Sequence, residues 1–224
     1  MENARQKVDR ILKNLTSSRE DLWALNDDIW HTLDHSSVED VQRAASFQVK
    51  YLELLDQFAR NSEEIAALIV QFTGIKEEET PDIKDVFGNS NERIIKELNK
   101  EEPHSIDEDF TYKRPYAIVM ENNACTNLET WKDLYKQVCR HLAGKNKELF
   151  DSLAANESLV SKQQKKYYSD NPKELRAPVK ITDKTYVETN LSASDFTKRM
   201  KEIFDIYRIS KDSLTIYLRQ DRNG

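Results

Sequence analysis

The sequence predicts an α+β protein in which an N-terminal antiparallel α-helical hairpin, coiled-coil-like, precedes a small α+β domain with a mostly antiparallel sheet. Residues 1–75 place apolar side chains at heptad-like helical spacing. From residue 110 onward, short strand-like runs alternate with helical ones. Only four glycines and five prolines occur in 224 residues, which argues against a turn-rich all-β fold.

The first predicted helix covers residues 4–33. Its apolar stripe repeats every seven residues, at Val8, Leu15, Leu22 and Ile29. The polar run "DHSS" interrupts the pattern at residues 34–37. We therefore expect the helix to end there, and the short break favours an antiparallel return of the chain.

The second predicted helix begins at Ser36, which has capping-box spacing to Glu39. Its apolar positions include Val41, Leu52 and Leu55. The pattern weakens at "RNSEE", where we expect a break or kink before a third helical run that ends at Gly74.

A two-helix hairpin leaves too much apolar surface exposed to be stable alone. We therefore expect it to pair with a second copy and form a homodimeric four-helix bundle. The expected interface consists of the heptad-spaced apolar side chains of both helices. These are Val8, Leu15, Leu22, Ile29, Val41, Leu52 and Leu55.

An acidic linker is predicted at residues 76–109. This segment contains 12 Asp and Glu residues against 5 Lys and Arg residues, and prolines interrupt it. One short helix is expected within "SNERIIKELNK". The predicted organisation is therefore a helical hairpin at 1–75, the linker at 76–109 and an α+β domain at 110–224.

The α+β domain is predicted to open with a strand at "YAIVM". Asn122 and Asn123 tolerate a tight turn, and a short strand around 124–128 closes a hairpin. Thr130 and Asp133 then have capping-box spacing and open a helix that Gly144 ends. A second helix containing "ELFDSL" follows.

The last part of the chain predicts a second hairpin, "VKIT-DK-TYVET", followed by a helix and a final strand, "SLTIYL". Ser192, with Asn190 and Ser194 as alternatives, is a candidate N-cap for that helix. Glu188 and Asn190 lie at the end of the preceding strand and face the same side. Together with the helix N-terminus, they could hold an anion or a base edge.

A basic and aromatic cluster makes nucleic acid the first candidate ligand. Residues 110–224 contain 21 Lys and Arg residues against 15 Asp and Glu residues. Lysines neutralise phosphates and tyrosines stack on bases, although a solvated lysine-rich loop explains the same run. Besides Glu188 and Asn190, the candidate contacts are Lys113, Arg114, Lys165, Lys166, Tyr167, Tyr168, Lys173, Arg176 and Lys180.

Catalytic, metal and membrane patterns are weak or missing. No P-loop, GxGxxG or GxSxG occurs, and the two cysteines have no zinc-site spacing, so we expect no metal and no cofactor. Asp183 and Glu188 are the best carboxylates for a nuclease site, but Asn190 replaces the lysine that such a site would use. The lack of a long apolar run predicts no membrane span, and cysteine usage favours the cytoplasm.

Residues 110–224 resemble an uncharacterised C-terminal domain of prokaryotic and phage proteins. The resemblance rests on "FTYKRPYAIVM", "ETWKDLYKQVCRHL", "KKYYSDNPKELRAPVKI" and "TYVETNLSASDFTKRMKEIF". It implies an α+β domain that occurs with diverse N-terminal partners, some in restriction or phage-defence settings, and it supplies no catalytic residues.

Three functions follow in order of preference. The first is a non-enzymatic, nucleic-acid-associated binding or regulatory protein of a prokaryotic or phage system, dimerising through its N-terminal helices. The second is a protein-interaction adaptor or inhibitor in a defence or mobile-element complex. The third is a nuclease subunit.

Overall fold

A computed structural model of the chain describes residues 4–31, 37–75, 89–161 and 164–219. The chain divides into two compact units, Met1–Glu78 and Glu79–Gly224. The described part of the first unit is helical, and that of the second combines helices with two small antiparallel sheets. The predicted α+β class is therefore confirmed.

Two long helices make up the described part of the first unit, α1 at Ala4–His31 and α2 at Val38–Thr73. The Ser37 side chain caps α2 by accepting a hydrogen bond from the backbone N–H of Asp40 at 3.2 Å. The predicted cap, Ser36, lies outside the described residues, and the observed cap stands one position later.

The break predicted at "RNSEE" is wrong, because α2 continues through residues 60–64. The segment contains neither glycine nor proline, and the small side chain of Ser62 is buried there. Gly74 ends the helix as predicted. It has a φ of 68°, and its N–H donates to the carbonyl of Val70 at 2.8 Å.

The two helices of the first unit contact each other. The Tyr51 hydroxyl of α2 donates to the Leu22 carbonyl of α1 at 2.8 Å, and Arg19 lies 3.3 Å from Glu63. Among the described residues of this unit, few apolar side chains are buried, and most of these are small. They are Leu12, Ala24, Ala44, Leu55 and Ala59.

Of the predicted interface residues, only Leu55 is fully buried within the unit, at 3% exposure. Five are half-buried, and Leu52 is exposed. The half-buried residues are Val8, Leu15, Leu22, Ile29 and Val41. The predicted heptad row therefore lies largely at the edge of the contact between the two helices.

A four-stranded antiparallel sheet, sheet A, forms one layer of the second unit in the order β1-β7-β2-β3. Its interior strand β7 pairs with β2 in a register that sets Ile118 opposite Ile216. The strand bounds are β1 His104–Ser105, β2 Pro115–Met120, β3 Asn123–Cys125 and β7 Leu214–Leu218.

The turn between β2 and β3 lies one residue earlier than predicted. Met120 pairs with Asn123, so the two turn residues are Glu121 and Asn122, with φ values of 47° and 66°. Both residues therefore adopt the positive φ that a type I′ hairpin turn requires. Because a strand register is fixed by its turn, β3 starts at Asn123 instead of residue 124.

A three-stranded antiparallel sheet, sheet B, has the order β4-β6-β5. Its central strand β6 sets Val187 opposite Tyr168 on one side and Val179 on the other. The predicted hairpin of the "VKIT-DK-TYVET" segment is confirmed as β5 and β6. The strand bounds are β4 Tyr168–Ser169, β5 Pro178–Lys180 and β6 Tyr186–Glu188.

Four helices lie in the described part of the second unit. The predicted caps Thr130 and Ser192 both form, by accepting the N–H groups of Asp133 at 3.1 Å and Asp195 at 3.1 Å. The helix that Thr130 opens runs past Gly144. The helix bounds are α3 Asn89–Leu98, α4 Trp131–Lys145, α5 Lys147–Ser152 and α6 Ala193–Tyr207.

The hydrophobic core of the second unit lies between its sheets and α4 and α6. Trp131 packs against Phe110 with ring centroids 4.8 Å apart, and Tyr135 packs against Phe196 at 5.2 Å. These rings and Phe204 are all less than 4% exposed. The apolar face of α6, which carries Phe196 and Phe204, therefore faces this core.

Residues 89–109, which the sequence assigns to the linker, belong to the second unit. His104 pairs with Ile216 in sheet A, and Ile106 is fully buried. The Asn91 side chain of α3 also joins the β2–β3 hairpin: its amide donates to Asn122, and its oxygen accepts the Ala124 N–H at 2.8 Å. The predicted linker at 76–109 is therefore wrong for residues 89–109. Despite their acidic composition, these residues extend sheet A, bury Ile106 in the core and bond to the β2–β3 hairpin.

Candidate functional site

The two basic residues ahead of β2 have different environments. Lys113 is exposed, while Arg114 is half-buried. The backbone carbonyls of both residues accept hydrogen bonds within the fold. The Lys113 carbonyl accepts from the Trp131 indole N–H at 2.8 Å, and the Arg114 carbonyl accepts from the Arg219 backbone N–H at 2.9 Å. Only the side chain of Lys113 is fully available to a ligand.

Two cations gather at the ring of Tyr167. The Lys165 Nζ lies 5.1 Å from the ring centroid, and the Arg199 guanidinium lies 4.1 Å from it. Burial lowers the pKa of the Lys165 ammonium group, while the charge of Glu188 raises it. Burial also raises the pKa of the Tyr167 hydroxyl. The Tyr167 ring therefore brings together a half-buried lysine and the buried Arg199 of α6.

Arg199 is the residue that the sequence interpretation missed. It is 5% exposed and lies 2.7 Å from Glu202. Its sequence signal is its place in the apolar stripe of α6, three residues after Phe196 and directly before Met200. A cation within such a stripe is expected to extend over an aromatic face or to pair with a carboxylate, and Arg199 does both.

Tyr168 is not a base-stacking residue, which corrects the prediction. It is 2% exposed, and its hydroxyl accepts a hydrogen bond from Tyr135 at 3.0 Å. Burial raises the pKa of this Tyr168 hydroxyl well above its ordinary value. Alternation along β4 turns Tyr168 into the core, whereas its neighbour Tyr167 remains half-buried.

A row of exposed cations lies on β5 and the turn before it. We call Lys173, Arg176 and Lys180 the basic edge, since β5 is an edge strand of sheet B. Among the described residues, neither Lys173 nor Lys180 has a carboxylate within ion-pair distance. Lys166, in contrast, pairs with Glu174 at 2.8 Å.

Glu188 anchors a loop. Its carboxylate accepts backbone N–H groups from Arg176 at 2.6 Å, Ala177 at 3.1 Å and Asn190 at 2.7 Å. Thr189 adds two more bonds to the Ala177 carbonyl, from its N–H at 3.0 Å and from its hydroxyl at 2.8 Å. The segment before β5 is thereby fixed to the end of β6.

The prediction that Glu188 and Asn190 contact a nucleic acid directly is therefore wrong, because neither side chain is accessible. Both are 1% exposed. The Glu188 oxygens are directed at backbone amides, and the side chain of Ser192 behind them caps α6. Their role is to position the chain that carries Arg176, one residue of the basic edge.

The candidate nuclease carboxylates have structural contacts. Asp183 is exposed and pairs with Lys147 at 2.8 Å, and this hydrogen bond lowers the pKa of the Asp183 carboxyl. Cys139 lies in the core, where burial raises the pKa of its thiol, and His141 contacts Glu121. Within the described residues, no three His, Cys, Asp or Glu side chains gather as a metal site.

A mainly acidic groove lies along α6. It has a volume of about 540 Å³, and the charged side chains that line it are five carboxylates, Asp107, Glu108, Asp109, Glu202 and Asp205, and two lysines, Lys198 and Lys201. A hydrogen bond from a lysine of α6 lowers the pKa of the Asp107 carboxyl. Carboxylates repel phosphates, so this groove and the basic edge are electrostatically distinct surfaces of the second unit.

Comparisons with family models, curated proteins and solved structures give no match for this chain. No helix in the described part of the chain combines the length and apolar composition that crossing a bilayer requires.

Proposed function

We propose that the protein is a non-enzymatic, nucleic-acid-associated binding or regulatory protein of a prokaryotic or phage system. The basic edge of the second unit contacts the phosphates, and the N-terminal helices hold two copies together. The prokaryotic or phage setting rests on the resemblance of residues 110–224. The observation that carries the binding proposal is the basic edge, the set of exposed cations on β5 and the turn before it.

Three features support the basic edge as a phosphate surface. Lys173 and Lys180 have no ion pair with a described carboxylate, so binding a phosphate breaks no ion pair, and only Asp183, whose carboxyl pKa the charge of Lys180 helps to lower, partly offsets that charge. Glu188 holds the backbone at Arg176, which reduces the conformational freedom lost on binding. Lys165 adds positive charge nearby, because after the larger effect of burial the charge of Arg176 also lowers the pKa of its ammonium group. The competing explanation is that edge lysines only prevent strand-to-strand aggregation.

The test is fluorescence anisotropy with a 20-base-pair duplex and a 20-nucleotide single strand across a salt series. Wild-type affinity is expected to fall linearly on a log–log plot against salt concentration. In K173A/K180A, the magnitude of the slope falls by about two on duplex DNA, since two phosphate contacts are lost. The matched control is K96A/K100A, which removes two exposed lysines from the acidic part of the same unit.

Equal salt slopes for the two double variants would show that the basic edge makes no phosphate contact. If neither probe binds the wild-type protein at low salt, the nucleic-acid proposal fails entirely. Metal-dependent cleavage of either probe that survives D183A/E188A would instead require an enzymatic site elsewhere.

The dimeric part of the proposal takes the two helices of the first unit as an antiparallel hairpin. The contacts of Tyr51 with Leu22 and of Arg19 with Glu63 support this arrangement, because the later residue of α2 meets the earlier residue of α1. Two such hairpins complete a four-helix bundle.

A second function, protein-interaction adaptor or inhibitor, is favoured by the apolar side chains that α2 exposes. Phe72 is 93% exposed and Leu68 63% exposed. Large exposed apolar patches mark binding surfaces. Co-purification of one stoichiometric protein partner by a monomeric chain, without nucleic acid, would favour this function over the first.

A further inference from the structure

One face of α2 carries an unbroken heptad repeat that differs from the row predicted from the sequence. The repeat follows alternating spacings of four and three residues from residue 47 to residue 72. We call this row the α2 stripe. Its members are Phe47, Tyr51, Leu54, Phe58, Asn61, Ile65, Leu68 and Phe72.

Six of the eight residues of the α2 stripe are exposed although the stripe is apolar, and the other two, Tyr51 and Phe58, are half-buried. Phe47, Leu54 and Ile65 are 45%, 51% and 47% exposed, and the rings of Phe47 and Tyr51 stack with centroids 5.4 Å apart. No charged residue occurs in the stripe. Such a row is the geometry with which a helix packs against another helix of the same kind.

The two flanks of the stripe differ, which shows from which side a partner approaches. On one flank, Leu55 and Ser62 are buried in the contact with α1. The other flank has a polar residue at every seventh position from residue 50 to residue 71, and all four of these residues are exposed. They are Lys50, Gln57, Glu64 and Gln71. A partner helix therefore finds the second flank open.

We propose that the α2 stripe binds the α2 stripe of a second copy of this chain, in antiparallel orientation. The spacings of the stripe are the same read in either direction, so reversal sets Phe47 opposite Phe72 and Leu54 opposite Ile65. The pairing is isologous, as a two-fold dimer requires.

Charge on the open flank selects the antiparallel orientation. Lys50 lies in the N-terminal half of the flank and Glu64 in the C-terminal half. Antiparallel copies bring the lysine half of each helix beside the glutamate half of the other, and the helix dipoles also oppose. In a parallel pair, the open flank of one helix would instead face the flank of the other that Leu55 and Ser62 bury against α1. The exposed contact of Lys50 with Glu53 competes only weakly.

In the antiparallel register, the two-fold axis passes between residues 59 and 60, so Asn61 of each copy lies beside the axis and opposite Phe58 of the other copy.

This inference rests on the proposed dimer, and it is independent of nucleic-acid binding. The first test is light scattering of the full chain and of L54E/I65E, with V38E/V49E as the control. Val38 and Val49 are also exposed on α2, at 67% and 63%, but lie off the stripe. The wild type and the control are expected at twice the 26.2 kDa chain mass. The stripe variant is expected as a folded monomer, with dimer affinity weakened at least about 100-fold.

The second test measures orientation without disrupting the stripe. Spin labels at Q57C and at Q71C, each in a C125A/C139A background, report distances between copies. At 1.5 Å rise per residue, antiparallel pairing separates the two Gln57 labels by about 8 Å along the axis and the two Gln71 labels by about 35 Å. Parallel pairing gives the same separation at both positions.

Equal distances at the two labels overturn the antiparallel pairing. A monomeric wild type, or a dimer that L54E/I65E leaves intact, overturns the stripe as the interface, and in the monomeric case a different protein becomes its occupant. Salt-dependent DNA binding by a monomer leaves the nucleic-acid part of the proposed function standing and overturns its dimeric part together with this inference. A dimer that forms through the α2 stripe but binds no DNA supports this inference and overturns the nucleic-acid part.

Discussion

The two units of the chain use aromatic side chains in opposite ways. In the second unit, Trp131, Phe196 and Phe204 are at most 1% exposed. In the first unit, Phe72 is 93% exposed and Phe47 45% exposed. Because each buried aromatic side chain removes a large apolar area from water, the second unit obtains its stability within one chain. The first unit leaves comparable surface for association.

Polar burial follows the same division. In the second unit, the buried carboxylate of Glu188 accepts three backbone N–H groups, so its contacts depend only on the fold of that unit. In the first unit, the buried Arg19 reaches the partly exposed Glu63 on the other helix. A buried polar group is stable only when it is satisfied, and Glu188 achieves this through the backbone of its own unit.

The largest difference between the units is expected from removal of an aromatic ring. Phe204→Ala empties a fully buried position and should reduce the free energy of unfolding of the second unit by about 3–5 kcal/mol. Phe72→Ala should change that transition by less than about 0.5 kcal/mol. Urea titration followed by near-ultraviolet circular dichroism measures both. Equal losses of unfolding free energy in the two variants would contradict the difference in aromatic burial between the two units.

The next largest effect concerns the anchor at the end of β6. Glu188→Ala leaves three backbone N–H groups without their acceptor and should cost about 3 kcal/mol or more in the same titration. Glu188→Gln should recover part of this loss, because its amide oxygen still accepts. If Glu188→Ala leaves stability unchanged but abolishes DNA binding, the residue contacts the ligand directly.

A smaller, pH-dependent effect is expected at Glu121. The hydrogen bond from Lys145 at 2.5 Å, followed by that from His141, lowers the pKa of the Glu121 carboxyl. Its stabilising contribution is therefore present above the unfolded pKa of about 4.3 and is lost as the pH falls through the lower folded value. Glu121→Gln should cost about 1 kcal/mol or less at pH 7 and nothing at about pH 2.

Thermal unfolding at the two pH values measures this cost. The matched change in the first unit is Glu53→Gln, which removes an exposed pair with Lys50 and should have little effect at either pH. A Glu121 variant as unstable at about pH 2 as at pH 7, relative to wild type, would exclude its charge as the cause.

The smallest effect compares the ends of two helices. Gly74 ends α2 with a φ of 68°, whereas Arg208 ends α6 with a φ of 54°. Because a residue with a Cβ is strained there, Arg208→Gly should stabilise the second unit by about 0.5–1 kcal/mol. Gly74→Ala should destabilise α2 by a similar amount, since its Cβ would meet no atom within 4 Å and only the backbone cost remains. Thermal unfolding with opposite signs for the two variants checks this.

Local patterns predicted most of the helices and caps. Thr130 and Ser192 were predictable because a cap and the residue three positions later lie close in sequence. The error at residues 60–64 has the same local origin, since polar residues alone do not end a helix whose face contacts a neighbour. The turn at Glu121 was misplaced by one residue because both asparagines tolerate positive φ.

The site was less predictable because its contacts join distant segments. The acceptor role of Glu188 depends on residues 176 and 177, which pairing of β5 with β6 brings beside it. Likewise, Ile106 and Phe110 stand among acidic residues in the sequence, and their burial follows only from the pairing of His104 with Ile216. Side-chain spacing carries no record of such pairings.

The position of β7 inside sheet A has a consequence for synthesis on the ribosome. β7 separates β1 from β2, yet it is the last of the four strands to be made. Until residue 218 has emerged, one edge of the apolar strand β2 has no partner in the nascent chain. A ribosome that stalls before residue 214 therefore displays an edge prone to aggregation or chaperone capture. The two helices of the first unit emerge earlier and do not depend on that strand.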